Sequence, residues 1–116
     1  MRHRKKKKFS QYGKAYRVAL LKNLGISLIK AGRIQTTVAK AKLVRPFVEH
    51  LISVGKSDSL AARRYLIRKT SSPKVAEKII KDVSPRYKDR HGGYTRVIKI
   101  GPRRGDGATL VYVLLL

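Results

Sequence analysis

The residues of this chain that could do chemistry are its basic side chains, which are dense and lie among tyrosines. The 116-residue sequence has 29 lysines and arginines against 6 acids, a formal net charge of +23 at pH 7. Self-repulsion at that charge opposes compaction unless a polyanion neutralises it. A phosphate backbone is such a polyanion, because basic side chains release its condensed counterions when they bind. The composition therefore predicts a nucleic-acid partner.

The predicted contacts with this partner lie in four places: an N-terminal basic run, the first helix, the short strand and helix start that follow it, and the last two strands with their loops. Residues 1–30 contain ten basic residues and no acid. The full set of predicted contacts is Arg2, His3, Arg4, Lys5, Lys6, Lys7, Lys8, Tyr12, Lys14, Arg17, Lys22, Arg33, Lys40, Lys42, Arg86, Arg90, Arg96, Lys99, Arg103 and Arg104.

Aromatic residues lie among these charges. They are Phe9, Tyr12, Tyr16 and Tyr87. Exposed rings of this kind stack on unpaired bases. For Tyr16, packing within the helix is an equally good interpretation.

Signals for catalysis or metal binding are weak. His3, His50 and His91 lie in a tail, a helix and a loop, without the spacing of metal ligands. No pair of carboxylates is placed for acid–base catalysis, and no nucleophile motif is present. Because there is no cysteine, disulfides and cysteine-based zinc sites are excluded. The sequence predicts a protein that is not an enzyme and has no metal, cofactor or small-molecule substrate.

Two glycine-rich segments favour turns over phosphate-binding loops. Residues 101–108 lack the Gly-Lys-Ser/Thr ending of such a loop and lead into a strand. Residues 91–93 also precede a strand, which is the wrong order for a dinucleotide site. No apolar run approaches the ~18 residues of a membrane span, and the basic start is not followed by the apolar region of a secretory signal. We expect a cytoplasmic chain without a membrane partner.

The first half of the chain divides into an extension and the start of a domain. Residues 1–11 have no apolar periodicity, so we expect a basic N-terminal extension that is disordered when free. Residues 12–116 form the single predicted domain. Helical spacing over residues 12–30 predicts a first helix, with Gly32 as its C-terminal cap. The short β-branched alternation of residues 33–37 predicts a strand.

A second helix is predicted from residue 38 to about residue 54. The hydroxyl of Thr37 is expected to cap it, and Pro46 is expected to kink it. Ser57 or Ser59 is expected to open a third helix, and Ser72 followed by Pro73 opens a fourth.

The second half of the predicted domain ends in two strands. Ser84-Pro85 is expected to stop the fourth helix, and residues 85–93 to form a polar loop. Strands follow at residues 94–100 and 109 to about 115, joined by a hairpin turn. Residues 110–114 are apolar on both faces, which predicts an interior strand. The fold class is α+β, a two-layer sandwich in the order α-β-α-α-α-β-β, with helices packed on a small three-stranded mixed sheet.

Several motifs resemble one known family. They are Met1-Arg2-His3-Arg4-Lys5, Ile34-x-Thr36-Thr37-x-x-Lys40-Ala41-Lys42, Gly92-Gly93-Tyr94-Thr95-Arg96 and Gly101-x-Arg103-x-Gly105-Asp106. The chain resembles the L-seventeen family of the bacterial large ribosomal subunit from its first residue to its last strand. The resemblance implies a structural protein of the ribosome that binds large-subunit ribosomal RNA near the nascent-chain exit, beside neighbouring ribosomal proteins. It also implies the element order predicted above.

Three other function classes fit less well. A DNA-coating protein would need a groove-reading helix or ribbon, and no helix-turn-helix spacing or wedge residue is present. A nuclease would need clustered carboxylates or histidines. A membrane-active peptide would need the apolar stripes that the core requires. Because phosphate contacts position a protein without reading bases, we expect recognition of RNA shape rather than sequence.

Overall fold

The computed structural model describes residues 13–116. The elements are α1 (Gly13–Ala31), β1 (Arg33–Thr37), α2 (Val38–Gly55), α3 (Leu60–Thr70), α4 (Pro73–Lys78), β2 (Thr95–Pro102) and β3 (Thr109–Leu115). This order confirms the predicted α+β class. The predicted extension, residues 1–11, lies outside the described residues, and so does Tyr12. The division of the chain into an extension and a domain therefore stays a prediction.

The end of α1 follows from its cap. Gly32 has a φ of +79°, and its N–H donates to the carbonyl of Leu28 at 2.8 Å. Glycine enters this left-handed conformation without steric cost, so it ends a helix readily. The chain turns there, and β1 begins at the next residue, as predicted.

The start of α2 differs from the prediction. Thr37 is extended, with φ −79° and ψ 158°, and its side chain makes no capping hydrogen bond. The predicted hydroxyl cap is therefore wrong. Thr37 is at the same time the last residue of β1, where it pairs with Leu110. The helix runs through Pro46 to Gly55, and the kink at Pro46 stays a prediction.

Serine caps open the next two helices. The Oγ of Ser59 accepts a hydrogen bond from the N–H of Ala62 at 3.0 Å, so Ser59 rather than Ser57 is the cap of α3. The Oγ of Ser72 accepts from the N–H of Val75 at 3.3 Å, and Pro73 follows at the start of α4. Both caps satisfy a backbone donor that has no partner within its helix.

The fourth helix ends in a different way from the prediction. Its α-helical part stops at Lys78, and the chain continues as a π-helical turn over Ile79–Val83 and a 3₁₀ turn over Ser84–Tyr87. Pro85 lies in the first turn of the 3₁₀ segment, where its missing N–H needs no partner. At Ser84-Pro85 the chain therefore changes to the narrower 3₁₀ conformation, and the helical segment does not stop there. The predicted polar loop begins later than residue 85.

The sheet has the order β1-β3-β2, with both neighbouring pairs antiparallel. The prediction of a mixed sheet is wrong. β1 and β2 run in the same direction, but β3 lies between them and pairs antiparallel with each. The prediction that β3 is interior is confirmed. β2 begins at Thr95 and extends to Pro102, with a bulge between Lys99 and Gly101.

The core lies between one face of the sheet and the helices. Val111 and Val113 of β3 are fully buried against this layer. α2 contributes Val44, Val48 and Ile52 to the same cluster. The 3.6-residue period of α2 puts its apolar side chains on one side, and the two-residue period of β3 puts Val111 and Val113 on the side that faces α2.

A close contact at the end of α2 yields a stability prediction. A Cβ atom at Gly55 would lie 2.5 Å from the buried Ser84 Oγ and 2.8 Å from Ile79 Cγ2. We expect Gly55→Ala to lower the free energy of unfolding by about 1–3 kcal/mol, a typical cost of overpacking. Urea denaturation measures this change.

Gly25→Ala is the matched control, because the closest contact of a Cβ there, at 2.8 Å, would be with Cε2 of the half-buried Phe47 ring and not with a fully buried side chain. Both variants replace a helical glycine, so the difference between them reports the contact at Gly55. Equal decreases in the free energy of unfolding of the two variants would contradict the assignment of the effect to the contact of Gly55 with Ser84 and Ile79.

Candidate nucleic-acid interface

The first three elements contain basic residues without any acid up to residue 48. Residues 13–48, which we call the acid-free stretch, contain eight lysines and arginines and no aspartate or glutamate. They form α1, β1 and the first part of α2. Among the described residues, no carboxylate lies within ion-pair distance of the predicted contacts of this stretch. These contacts are Lys14, Arg17, Lys22, Arg33, Lys40 and Lys42.

The region of α3, α4 and the turns that follow has a different charge pattern. Arg63 lies 3.0 Å from Asp58 and 3.7 Å from Glu77. Lys81 lies 2.5 Å from Glu77, and its hydrogen bond and positive charge lower the pKa of that carboxyl. Arg86, a predicted contact, pairs with Asp82 at 3.1 Å. Positive charges here are partly compensated, so this region attracts a polyanion less strongly.

Three predicted contacts meet around one open cavity. Lys40 and Lys42 lie beside Arg103, although the hairpin that carries Arg103 comes much later in the chain. The cavity measures about 520 Å³, and we call it the α2–hairpin cavity. The first turn of α2 contains no acid, so the positive end of its dipole is not offset there. A phosphate group fits the charge and the openness of this cavity.

Asp106 shapes the hairpin turn. The Nε of Arg103 donates to Asp106 Oδ1 at 3.0 Å, and a second guanidinium nitrogen contacts Oδ2. The N–H of Ala108 donates to Oδ1 at 3.1 Å. These hydrogen bonds, the one from Arg103 first, lower the pKa of Asp106 to about 2. Part of the charge of Arg103 is thus compensated, whereas the neighbouring exposed Arg104 has no ion-pair partner among residues 13–116.

The loop before β2 is held by backbone and side-chain contacts. The guanidinium of Arg90 donates to the carbonyl of Gly93 at 3.2 Å. The carbonyl of Arg90 accepts from the buried Tyr94 hydroxyl at 3.1 Å and from the Lys56 ammonium. These contacts place Arg90 on a defined loop.

The start of β2 is tied to α2. Glu49 Oε2 accepts from the N–H and the hydroxyl of Thr95, at 3.3 and 2.7 Å. The Nε of Arg45 donates to the same hydroxyl oxygen at 3.2 Å. The loop that carries Arg90 is therefore fixed at both ends before any partner binds.

The aromatic predictions differ in outcome. Tyr87 is only 4% exposed, and its hydroxyl donates to the carbonyl of Leu116. The prediction that this ring stacks on bases is therefore wrong, because it packs against Tyr94 with centroids 5.1 Å apart. Tyr16 is 43% exposed. Phe9 and Tyr12 lie outside the described residues.

Sequence reasoning missed one aromatic residue. Tyr112 lies in the interior strand, and the guanidinium carbon of Arg33 is 4.6 Å from its ring centroid. The sequence shows residues 110–114 as apolar on both faces, and only the strand register shows that Arg33 meets this ring.

The remaining predicted contacts are placed as follows. On α1, Lys14 is exposed, Arg17 is half-buried, and the Lys22 ammonium donates to Ser71 Oγ at 2.7 Å. Arg96 and Lys99 are exposed on β2. The N-terminal contacts lie outside the described residues: Arg2, His3, Arg4, Lys5, Lys6, Lys7, Lys8 and Tyr12.

Two kinds of feature are absent from residues 13–116. No group of three or more histidine, aspartate or glutamate side chains there could hold a metal ion. None of the helices in this part of the chain has the length and apolar character needed to cross a membrane.

Comparison with known proteins identifies the family. The family described as Ribosomal protein L17 matches residues 20–116. The chain belongs to the ribosomal protein L17 family. This membership confirms the resemblance found in the sequence motifs. It also confirms that this L17-family chain is a ribosomal protein and not an enzyme.

Similar proteins cover nearly all of this L17-family chain. Large ribosomal subunit protein bL17 of Ehrlichia chaffeensis is 48% identical over 121 residues, covering 100% of this chain and 90% of the relative. The bL17 protein of Thermus thermophilus is 46% identical over 117 residues, covering 100% and 99%. The bL17 protein of Orientia tsutsugamushi strain Ikeda is 45% identical over 113 residues, covering 97% and 78%.

The hairpin turn of this L17-family chain yields a pH prediction. Because the folded-state pKa of Asp106 is lowered from 3.8 to about 2, the stabilising Arg103–Asp106 contact is fully present above pH 3.8. It is lost as the pH falls through about 2. NMR titration of the Asp106 carboxyl is expected to give a midpoint near 2. In Arg103→Ala the midpoint should rise toward 3.8, and an unchanged midpoint would show that Arg103 does not cause the shift.

Proposed function

We propose that this chain is a structural component of the large ribosomal subunit. It binds ribosomal RNA mainly through phosphate contacts and RNA shape, near the nascent-chain exit tunnel, and it supports assembly and translation. The observation that carries the proposal is the acid-free stretch, whose basic residues lie on three consecutive elements of the fold. The names of the relatives support the assignment to the large subunit. Its partners are ribosomal RNA and neighbouring large-subunit proteins in the cytoplasmic ribosome.

Phosphate neutralisation accounts for binding without a sequence code. Each phosphate that a lysine or arginine neutralises releases condensed counterions. With roughly six to ten such contacts, the affinity falls by about 10³–10⁵ between 50 mM and 200 mM salt. Lys40 and Lys42 at the α2–hairpin cavity are the best placed of these contacts, because none of the described residues that line it is acidic. A second cavity of about 370 Å³ is less suitable, since Asp58 is part of its lining.

The N-terminal basic run adds a second binding element. Residues 1–8 contain six lysines and arginines and no acid. Such a run neutralises phosphates where RNA segments converge, because charge repulsion is largest at those places. The folded domain then fits the shape of the RNA, and the basic run adds positive charge that neutralises phosphates.

Removing two lysines from the α2–hairpin cavity tests the phosphate contacts. We expect the double variant Lys40→Gln/Lys42→Gln to bind large-subunit ribosomal RNA more weakly. The slope of log affinity against log salt should fall by about two, since each lost phosphate contact lowers it by about one. Filter binding over a salt series measures both quantities.

The matched control is Lys74→Gln/Lys81→Gln, which removes the same charge from the region of α4 and the turn after it, where Lys81 pairs with Glu77. This control should keep most of the wild-type slope. If the salt dependence of affinity fell equally in both double variants, only the total charge would matter. That result would contradict the proposed phosphate contacts at the α2–hairpin cavity.

Deleting residues 1–8 tests the role of the basic run and the assignment to the ribosome. The full chain should sediment with large subunits and remain bound through a high-salt wash. The truncated chain should show nearly unchanged thermal unfolding but weaker incorporation, because the run contributes phosphate contacts and not core packing. Equal incorporation of both chains would remove the role of the run. Loss of the full chain in the wash would argue against an integral ribosomal component.

A further inference from the structure

The solvent-facing side of the sheet combines arginine, polar, aromatic and aliphatic side chains. Strand register places Arg33, Leu114 and Arg96 in one row across the sheet, and Gln35, Tyr112 and Ile98 in the next. We call these six residues the outer sheet face. The rows between them point into the core, as the burial of Val113 and Val111 shows.

The outer sheet face is open among residues 13–116. Arg33, Gln35 and Arg96 are exposed, and Ile98 is 44% exposed. Tyr112 and Leu114 are half-buried, because the side chains of both edge strands flank the central strand. The helices pack on the opposite side, where the buried valines of β3 lie.

The ring of Tyr112 is combined with a planar cation. The guanidinium carbon of Arg33 lies 4.6 Å from the ring centroid, which is the geometry of a cation–π contact. Arg33 has no ion-pair partner among the described residues. Aromatic rings and arginine planes are the groups on which proteins stack unpaired RNA bases, and an open sheet is a common platform for them.

The charge of this face favours RNA over a protein partner. The outer sheet face carries Arg33 and Arg96, and none of the three strands contains aspartate or glutamate. A protein partner would have to bury carboxylates opposite Arg33 and Arg96 at a desolvation cost. RNA brings one phosphate with each nucleotide, so it neutralises both arginines without such a requirement.

We propose that the outer sheet face binds an unpaired RNA nucleotide, with its base stacked on the Tyr112–Arg33 pair and its phosphates near Arg96. This site rests on the proposed RNA-binding function and deepens it, because it adds contact with bases to contact with phosphates. A base in a duplex is already stacked on its neighbours and does not reach this surface. The site therefore prefers single-stranded RNA and tolerates different bases.

A single-tryptophan variant tests the stacking directly. The chain has no tryptophan, so Tyr112→Trp introduces one fluorophore on the outer sheet face. We expect a short oligouridylate to quench its emission. Tyr65→Trp is the matched control, because Tyr65 is also half-buried and has Arg68 and Lys69 near its ring, at 5.5 and 5.6 Å. The emission of that control should change little.

Affinity measurements give a second readout. In the full chain, Tyr112→Leu should weaken binding of oligouridylate by about fivefold to a hundredfold, the usual effect of losing one stacked base. Binding of a duplex RNA should stay the same. Tyr112→Phe keeps the ring and should bind as the wild type does, and thermal unfolding checks that each variant is folded.

The outcomes separate this site from the general RNA-binding function. Selective quenching of Tyr112→Trp by oligouridylate supports the site. Bound duplex RNA together with an unquenched Tyr112→Trp, or equal quenching of both tryptophan variants, overturns the site and leaves the proposed function intact. Equal quenching by polyglutamate also overturns it and indicates an acidic protein partner. Failure of the full chain to bind any RNA overturns both proposals.

Discussion

The pairing of β3 with both neighbouring strands is the interaction on which the other parts of this fold depend. β1 and β2 do not pair with each other, so each is held in the sheet only through β3. The buried side of β3 supplies Val111 and Val113, against which α2 packs. The other side supplies Tyr112, which meets Arg33. A single strand thus sets the core on one side of the sheet and the candidate RNA surface on the other.

Charge imposes the second constraint. With six acids for twenty-nine basic residues, the fold compensates only some of its positive charges. Glu49 holds the start of β2, Asp106 closes the hairpin, and Glu77 accepts contacts from Arg63 and Lys81. The exposed ion pairs of Asp106 and Glu77 add little stability, so their main effect is local order. The basic residues of the acid-free stretch have no carboxylate at ion-pair distance among the described residues, so their charge is available to a polyanion.

Local chemistry explains which features can be predicted from sequence. The cap residues Gly32 and Ser72 act on their own neighbours, so their patterns identify them correctly, whereas for α3 the pattern leaves Ser57 and Ser59 as alternatives. The failed predictions involve contacts between distant segments. The pattern predicts that Thr37 caps a helix, but Thr37 stays paired with Leu110 in the sheet. It also predicts an exposed Tyr87, but a π-helical turn and a 3₁₀ turn direct that ring into the core. The candidate site follows the same rule: Lys40 and Lys42 are visible in the sequence, whereas their meeting with Arg103 requires the fold.

The distance along the chain between β1 and its partner strand has a consequence for biosynthesis. Arg33 pairs with Leu114, and all of α2, α3 and α4 are translated between them. Such long-range pairing is slow to form, so β1 stays unpaired while the helices are synthesised. An unpaired strand invites aggregation, and charged residues along it are one natural protection. Arg33, the first residue of β1, gives the unpaired strand this protection. In the folded sheet the same side chain lies over Tyr112.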